Sequence, residues 1–289
     1  MCRFTFYLGK PVPLSALVTD PENSLIHQSF HSHEREEPLN GDGFGVAWYV
    51  GGHAEPSLFR SITPAWSNSN LRDLARVTTS PCVLAHVRAA TQQLEVNEGN
   101  CHPFKRGNLA FMHNGDIGGF SRIRRKIINA LSDATFEGVR GTTDSEHFFA
   151  LLCDRVAAER SEVTAEALAG AFDATIRWVV ALAREHAPEE HTYLNAVVTD
   201  GECAVACRFT TDVPENADSL YVNHGRRYTC EDGLCRMLDP DDGLGAVVIS
   251  SERLSEDHGW HEVPVNHLVL IAPNRTVSFR RLAIEAATG

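Results

Sequence analysis

Cys2-Arg3-Phe4-Thr5-Phe6-Tyr7 is aromatic or β-branched at most positions and alternates in character from one residue to the next. Alternation with period two is the signature of a β-strand whose two faces meet different surroundings. The spacing therefore predicts a strand that starts at the second residue and leaves no room for a flexible tail before it.

Outward from this strand, apolar and β-branched runs predict further strands over 44–49, 82–88, 109–113, 194–199, 203–209, 246–251 and 267–272. Apolar residues at helical spacing predict helices around 70–77, 120–131, 145–157 and 165–183, each entered through Ser, Thr, Asp or Asn in a capping-like position. The helices fall between runs of strands instead of alternating with single strands, which suggests antiparallel sheets with helices outside them, an α+β arrangement of layers. The longest irregular stretches are 19–40 and 210–242, and no repeat or low-complexity tract breaks the chain, so 1–289 reads as a single domain.

A chain of 289 residues, 43% hydrophobic, can bury roughly three quarters of its unfolded surface and needs no staples. A formal charge of −12 argues against a nucleic-acid surface, which needs clustered cations to displace counterions from phosphate. The one basic run, Arg122, Arg124, Arg125 and Lys126, reads as a solvated helix face. No apolar stretch approaches the roughly 20 residues of a membrane span, and the start lacks the apolar core of a signal peptide, so the expected setting is the cytoplasm, with no membrane partner. There the eight cysteines should stay reduced and serve as packing, ligands or nucleophile.

A cysteine in second position becomes chemically distinct once Met1 is removed, because its thiol then sits on the chain's own α-amine. A free α-amine titrates at about 7.7 to 8.0, near enough to neutrality to accept the thiol proton, and it is thiolate that attacks carbonyl carbon. Its ordinary reading is a buried strand residue. Three other elements bear on the choice. Arg88 ends an apolar strand and could grip a carboxylate through two N–H groups, or form a structural ion pair. His113-Asn114-Gly115 ends another strand and could aim an amide and a backbone N–H at one oxygen, or simply turn. Thr143-Asp144-Ser145-Glu146 opens a helix with an acidic residue suited to an ammonium, or with a plain cap.

Taken together and in order, Met1-Cys2-Arg3, Asn40-Gly41-Asp42-Gly43-Phe44-Gly45, His86-x-Arg88-x-x-Thr91, Asn100-x-His102-Pro103, His113-Asn114-Gly115, Thr143-Asp144-Ser145-Glu146 and Ser250-Ser251-Glu252 resemble the class II glutamine amidotransferases, which are N-terminal-nucleophile hydrolases. The resemblance implies a four-layer αββα sandwich of two antiparallel sheets. It implies Cys2 as nucleophile with its own amine as base, and Asn114 and Gly115 as the oxyanion hole. Arg88 would take the glutamyl α-carboxylate, Asp144 the α-ammonium, and His102 and Thr91 would shape the pocket.

The chain looks most like the amidotransferase-like subunit of the cytosolic complex that degrades glutathione, and is similar to the γ-glutamyl hydrolase of the ergothioneine pathway. Hydrolysis of a γ-glutamyl amide through a thioester on Cys2 is then expected, without cofactor or metal. A glutaminase subunit feeding ammonia to a synthase is the alternative within the family, and either reading admits a peptidase-like or synthase protein partner. A non-catalytic metal-binding or interaction protein is the alternative outside it. It would draw on Cys203, Cys207, Cys230 and Cys235, or on His27, His31 and His33. The cysteine spacings are off the common zinc patterns, and Cys203, Val205 and Cys207 share one strand face, which reads as core.

Overall fold

The computed structural model of the protein describes residues 2–32, 34, 39–89, 96–159, 163–231, 233–240 and 245–283. The opening strand forms as its alternation predicts: β1 (Arg3–Pro13) is 11 residues long. It runs through the middle of the first sheet, antiparallel to β4 (Thr79–Val87) on one side and to β11 (Ala246–Ser250) on the other. Beyond β4 come β2 (Phe44–Trp48) and β3 (Ser57–Ser61). Beyond β11 come β9 (Tyr221–Glu231) and β10 (Leu234–Pro240), with β12 (Trp260–Glu262) also paired to β9.

The second sheet runs in the order β14 (Val277–Arg281), β13 (His267–Ile271), β8 (Ala204–Thr210), β7 (Tyr193–Thr199), β6 (Leu109–Asp116) and β5 (Phe104–Arg106). Every pair in it is antiparallel.

Period two sorts the side chains of β1 into layers. Phe4, Phe6 and Leu8 point between the sheets, where they meet Leu84, Met112 and Val197. Tyr7 points the other way, into a cluster with Val83 and Ala85 under the short helices α1 (Ser15–Val18) and α2 (Leu25–Gln28) and the longer α3 (Ser69–Val77). The outer face of the second sheet buries Phe111 against Phe148 and Phe172. That face lies beneath α4 (Phe120–Ala130), α5 (Asp133–Phe136), α6 (Asp144–Ala158) and α7 (Ala165–His186). Each fully buried Phe or Leu contributes about 1.5–3 kcal/mol relative to exposure. The result is the αββα sandwich of two antiparallel sheets that the resemblance implied.

Capping follows the sequence at three of the four long helices. Asn68, Thr143 and Thr164 accept the N–H groups of Leu71, Glu146 and Ala167 at the starts of α3, α6 and α7. The expectation fails at α4, which opens from Gly119 at φ 66° with no side-chain cap, while the Glu190 carboxylate accepts the Gly119 N–H instead.

Two further expectations need correction. The stretch 210–242, read as irregular, contains β9 and β10. Their register sets Cys230 directly opposite Cys235, with Cα atoms 3.9 Å apart and the sulfurs bonded, so these two are not thiols. Cys2, Cys82, Cys101, Cys153, Cys203 and Cys207 are free. No helix among the described residues is long and apolar enough to cross a membrane.

Candidate active site

The alternation that builds the inner layer also decides which polar groups meet at its end. On β1 the face carrying Phe4, Phe6 and Leu8 continues one step earlier to Cys2. On β4 the face of Cys82 and Leu84 continues to His86 and then to Arg88, just past the strand. On β6, in the opposite sheet, Ala110 and Met112 lead to Asn114. Arg3 pairs with Val87, so the next step brings Cys2 alongside Arg88. The two sheets are linked at this end by His86 Nε2, which donates to the carbonyl oxygen of His113 at 3.1 Å.

Cys2 is half-buried, and its thiol donates to the Ala89 carbonyl at 3.6 Å. Burial pushes this thiol up, while that carbonyl contact and the positive charges of Arg88 and Arg3 oppose the rise. Burial thus favours the protonated form of the resting sulfur.

Arg88 is 3% exposed and its backbone is pinned from both sides: its N–H donates to the Gly43 carbonyl at 2.8 Å, and its carbonyl accepts the Asp42 N–H at 3.0 Å. The Asn40-Gly41-Asp42-Gly43 turn is thus the clamp that fixes Arg88. Gly43 has φ 119°, and a Cβ there would stand 2.7 Å from Cys101 Sγ and 2.8 Å from the Ser61 carbonyl, so only glycine allows the approach.

Asn114 is buried opposite Asn195, and its side-chain oxygen has no hydrogen-bond partner among the described residues. Asn195 beside it is satisfied, donating to the carbonyls of Asp218 and Ser219. A buried amide oxygen left unpaired costs about 1–3 kcal/mol, which a ligand at this end of the layer would recover. Gly115 follows at φ 136°, where a Cβ would be 2.0 Å from the Tyr193 carbonyl oxygen.

His113 turns toward the helices, donating from Nε2 to the Tyr193 carbonyl at 3.2 Å and facing the Ser145 hydroxyl with Nδ1 at 2.9 Å. Asp144, the first residue of α6, is half-buried. It accepts the Ile117 N–H at 2.8 Å and the Ser145 N–H at 2.7 Å. The carboxylate therefore ties the helix start to the chain two residues beyond Gly115.

The His102 ring packs at a tilt against His86, 4.3 Å between ring centres, and edge-on against Phe104 at 4.6 Å. It is 5% exposed, and neither ring nitrogen has a hydrogen-bond partner among the described residues. Burial, then the nearness of His86 and His113, holds His102 well below the usual histidine range. The segment is anchored by Asn100, whose side-chain oxygen accepts the Thr142 N–H at 2.8 Å. Gly45 makes room for it, since a Cβ there would lie 2.2 Å from the His102 carbonyl oxygen.

Cys2, Arg88, Asn114 and His102 thus lie toward one end of the inter-sheet layer, with Gly115 next along β6, whereas Asp144 stands at the start of α6 with its carboxylate held by Ile117 and Ser145, and Thr91 lies outside the described residues. Reasoning from motifs overlooked Cys101, whose thiol lies within hydrogen-bonding reach of the Arg88 side chain. The positive-φ glycine that its sulfur crowds was the available signal.

The residues weighed for a metal are placed elsewhere. Cys203 and Cys207 are packed with Val205 in the apolar cluster under the helices, and Cys230 and Cys235 are bonded to each other. The rings of His27 and His31 are 5.2 Å apart beside Phe30, and His33 lies outside the described residues. On α4, Arg122 pairs with Glu189 at 2.5 Å, and Arg125 and Lys126 are exposed.

Comparison with known proteins agrees with this geometry. A family profile described as glutamine amidotransferases class-II matches residues 16–281, a span that begins after Cys2. The chain is 38% identical over 292 residues to "Probable glutamine amidotransferase DUG3" of Saccharomyces cerevisiae, covering 94% of this chain and 82% of that protein. It is 28% identical over 270 residues to "Gamma-glutamyl-hercynylcysteine sulfoxide hydrolase" of Mycobacterium tuberculosis, covering 93% and 92%. Among solved structures, a glutamine aminotransferase class-II domain protein from Silicibacter pomeroyi superposes with a TM-score of 0.67 at 26% identity, over 98% of this chain and all 100% of that one. Glutamine phosphoribosylpyrophosphate amidotransferase from B. subtilis shares the fold at a TM-score of 0.60 and 15% identity, over 99% of this chain and 50% of that one. The chain belongs to the class II glutamine amidotransferases.

Proposed function

We propose that this protein hydrolyses the γ-glutamyl amide bond of a small substrate through a thioester on Cys2. The observation that carries the reading is the arrangement across strands: the Cys2 thiol stands on the same face as Arg88, and Asn114 lies on the facing strand of the other sheet in the same layer. The names of two relatives add support, one a glutamine amidotransferase and the other a hydrolase of a γ-glutamyl compound.

In the reaction, the α-amine of Cys2, freed by loss of Met1, takes the thiol proton as sulfur attacks the γ-carbonyl. Asn114 and the Gly115 N–H hold the oxygen that becomes negative. Collapse breaks the C–N bond, and the amine delivers the proton to the departing nitrogen. Water then attacks the thioester with the same amine as base, glutamate leaves, and the thiol is restored. Arg88 binds the substrate's α-carboxylate, Asp144 its α-ammonium, and His102 bounds the pocket, as Thr91 would by its place in the motif.

Glutathione is our leading substrate, and we take 1–289 as one catalytic domain acting in the cytoplasm, where its free thiols would persist. A peptidase-like partner would consume the released dipeptide; a synthase partner would instead take ammonia from glutamine. The test is glutamate release from glutamine, glutathione and γ-glutamyl dipeptides, with intact mass to verify loss of Met1. Turnover of γ-glutamyl peptides that vanishes in Cys2→Ala supports the proposal; turnover of glutamine alone assigns the protein to ammonia delivery; full activity in Cys2→Ala rejects it.

A further inference from the structure

The late run Ser250-Ser251-Glu252 has no part in the chemistry just described, yet each of its residues bonds to the opening strand. The Ser250 and Thr5 hydroxyls are 2.9 Å apart. Ser251 closes a two-bond ring with Phe4: its Oγ accepts the Phe4 N–H at 3.0 Å, and its own N–H donates to the Phe4 carbonyl at 3.0 Å. Glu252 takes the Arg3 Nε–H on Oε1 at 2.8 Å. Through Arg3 the run reaches one residue further, because Nη1 donates to the carbonyl oxygen of Cys2 at 3.0 Å. Nη2 donates to Ser32 Oγ at 2.9 Å, and the Ser32 hydroxyl donates to the same Glu252 oxygen at 2.7 Å.

Arg3 is 3% exposed and Glu252 1%. Burying two charges is costly, and apolar residues of the same size would commonly serve stability as well or better. A planar guanidinium, however, can hold a carboxylate, a hydroxyl and a carbonyl at fixed angles at once, which no apolar side chain and no lysine can do. The group at the far end of this chain is the carbonyl of Cys2.

We propose that Glu252, acting through Arg3, is a positioning residue for Cys2: the buried pair grips the carbonyl of the nucleophile's own residue and so fixes where its thiol and its amine point. The proposal rests on the reading of Cys2 as nucleophile. Attack needs sulfur aligned with the substrate carbonyl to within a fraction of an ångström, and a residue at the start of a chain lacks the preceding peptide that would otherwise orient it. The neighbouring strands supply the fold, and the Glu252–Arg3 link supplies the last constraint.

The experiment compares wild type, Glu252→Gln and the double variant Arg3→Met/Glu252→Leu, measuring kcat and KM on the substrate the wild type hydrolyses best, the rate of Cys2 alkylation by iodoacetamide, and thermal unfolding. The double variant removes both charges of the buried pair together, so it keeps the test usable if Glu252→Gln fails to fold. The expected result is kcat reduced at least tenfold in the double variant, with KM within twofold of wild type and a melting temperature within a few degrees. Wild-type kcat in the folded double variant overturns the positioning role, as does a change confined to KM. Cys2→Ala run beside them separates the two ideas, since an active Cys2→Ala removes the nucleophile itself, whereas an inactive one beside a fully active double variant removes only the clamp.

Discussion

In the proposed reaction Asn114 and Gly115 would act through atoms that the fold leaves little freedom to move. Each donor of an oxyanion hole lowers the barrier by about 3 kcal/mol, so Asn114→Ala is expected to reduce kcat by two to three orders of magnitude with a small effect on KM; a loss under tenfold contradicts its role. Gly115→Ala is a different perturbation, because the added Cβ meets the Tyr193 carbonyl oxygen at 2.0 Å. The strand must shift to accept it, and both activity and the urea midpoint are expected to fall together. Much of this site was legible in the sequence, since His113-Asn114-Gly115, Arg88 and Asp144 stand in motifs. What motifs do not convey is parity. That Cys2, Arg88 and Asn114 face one space follows only when Phe4, Leu84 and Met112 are known to share a layer.

Among the elements, glycine and cap positions carry the most exposed claims. Gly45→Ala on β2 would drive a Cβ to 2.2 Å from the His102 carbonyl oxygen and displace the segment that packs against His86. A loss of stability of about 1–3 kcal/mol and of at least tenfold in kcat is expected, read from urea titration and initial rates. Thr143→Ala removes the oxygen that accepts the Glu146 N–H at the start of α6 and should cost about 1 kcal/mol, with unchanged stability counting against the cap. The central strands and the long helices were readable because two-sided burial gives an unbroken apolar pattern. β9 and β10 were not, because the hairpin runs to the edge of its sheet, where Arg226, Arg227 and Glu231 are exposed and the alternation is lost. β3 and β5, at sheet edges and only five and three residues long, give too few positions for any period to show.

The molecule as a whole carries a group of histidines at or beside its inner layer, and these make its stability depend on pH. Burial lowers His86 to about 3 and also lowers His102 and His113, the last against the opposing charge of Asp144. In the unfolded chain each would titrate near its ordinary value of 6.5. Below that pH the unfolded chain takes up protons that the folded one refuses, so stability is complete above 6.5 and declines as pH falls toward 3. His86 contributes up to about 1.4 kcal/mol per pH unit within that window, and His102 and His113 act in the same direction. Urea midpoints at pH 7.5, 6 and 5 should fall, the three rings outweighing Asp116 and Glu146, whose carboxyls burial raises, Asp116 to about 6, and which oppose the trend; a rising profile would show that these rings do not stay neutral in the fold.

The position of β1, with a partner strand on either side and its first residue at the polar mouth of the layer, bears on how the protein can be handled. On the proposed mechanism, a purification handle or fusion partner joined ahead of residue 2 would mask the amine that serves as base, unless a protease trimmed it back to the cysteine itself. A preparation tagged in that way would be well folded and inert, and could be mistaken for a protein without catalytic activity.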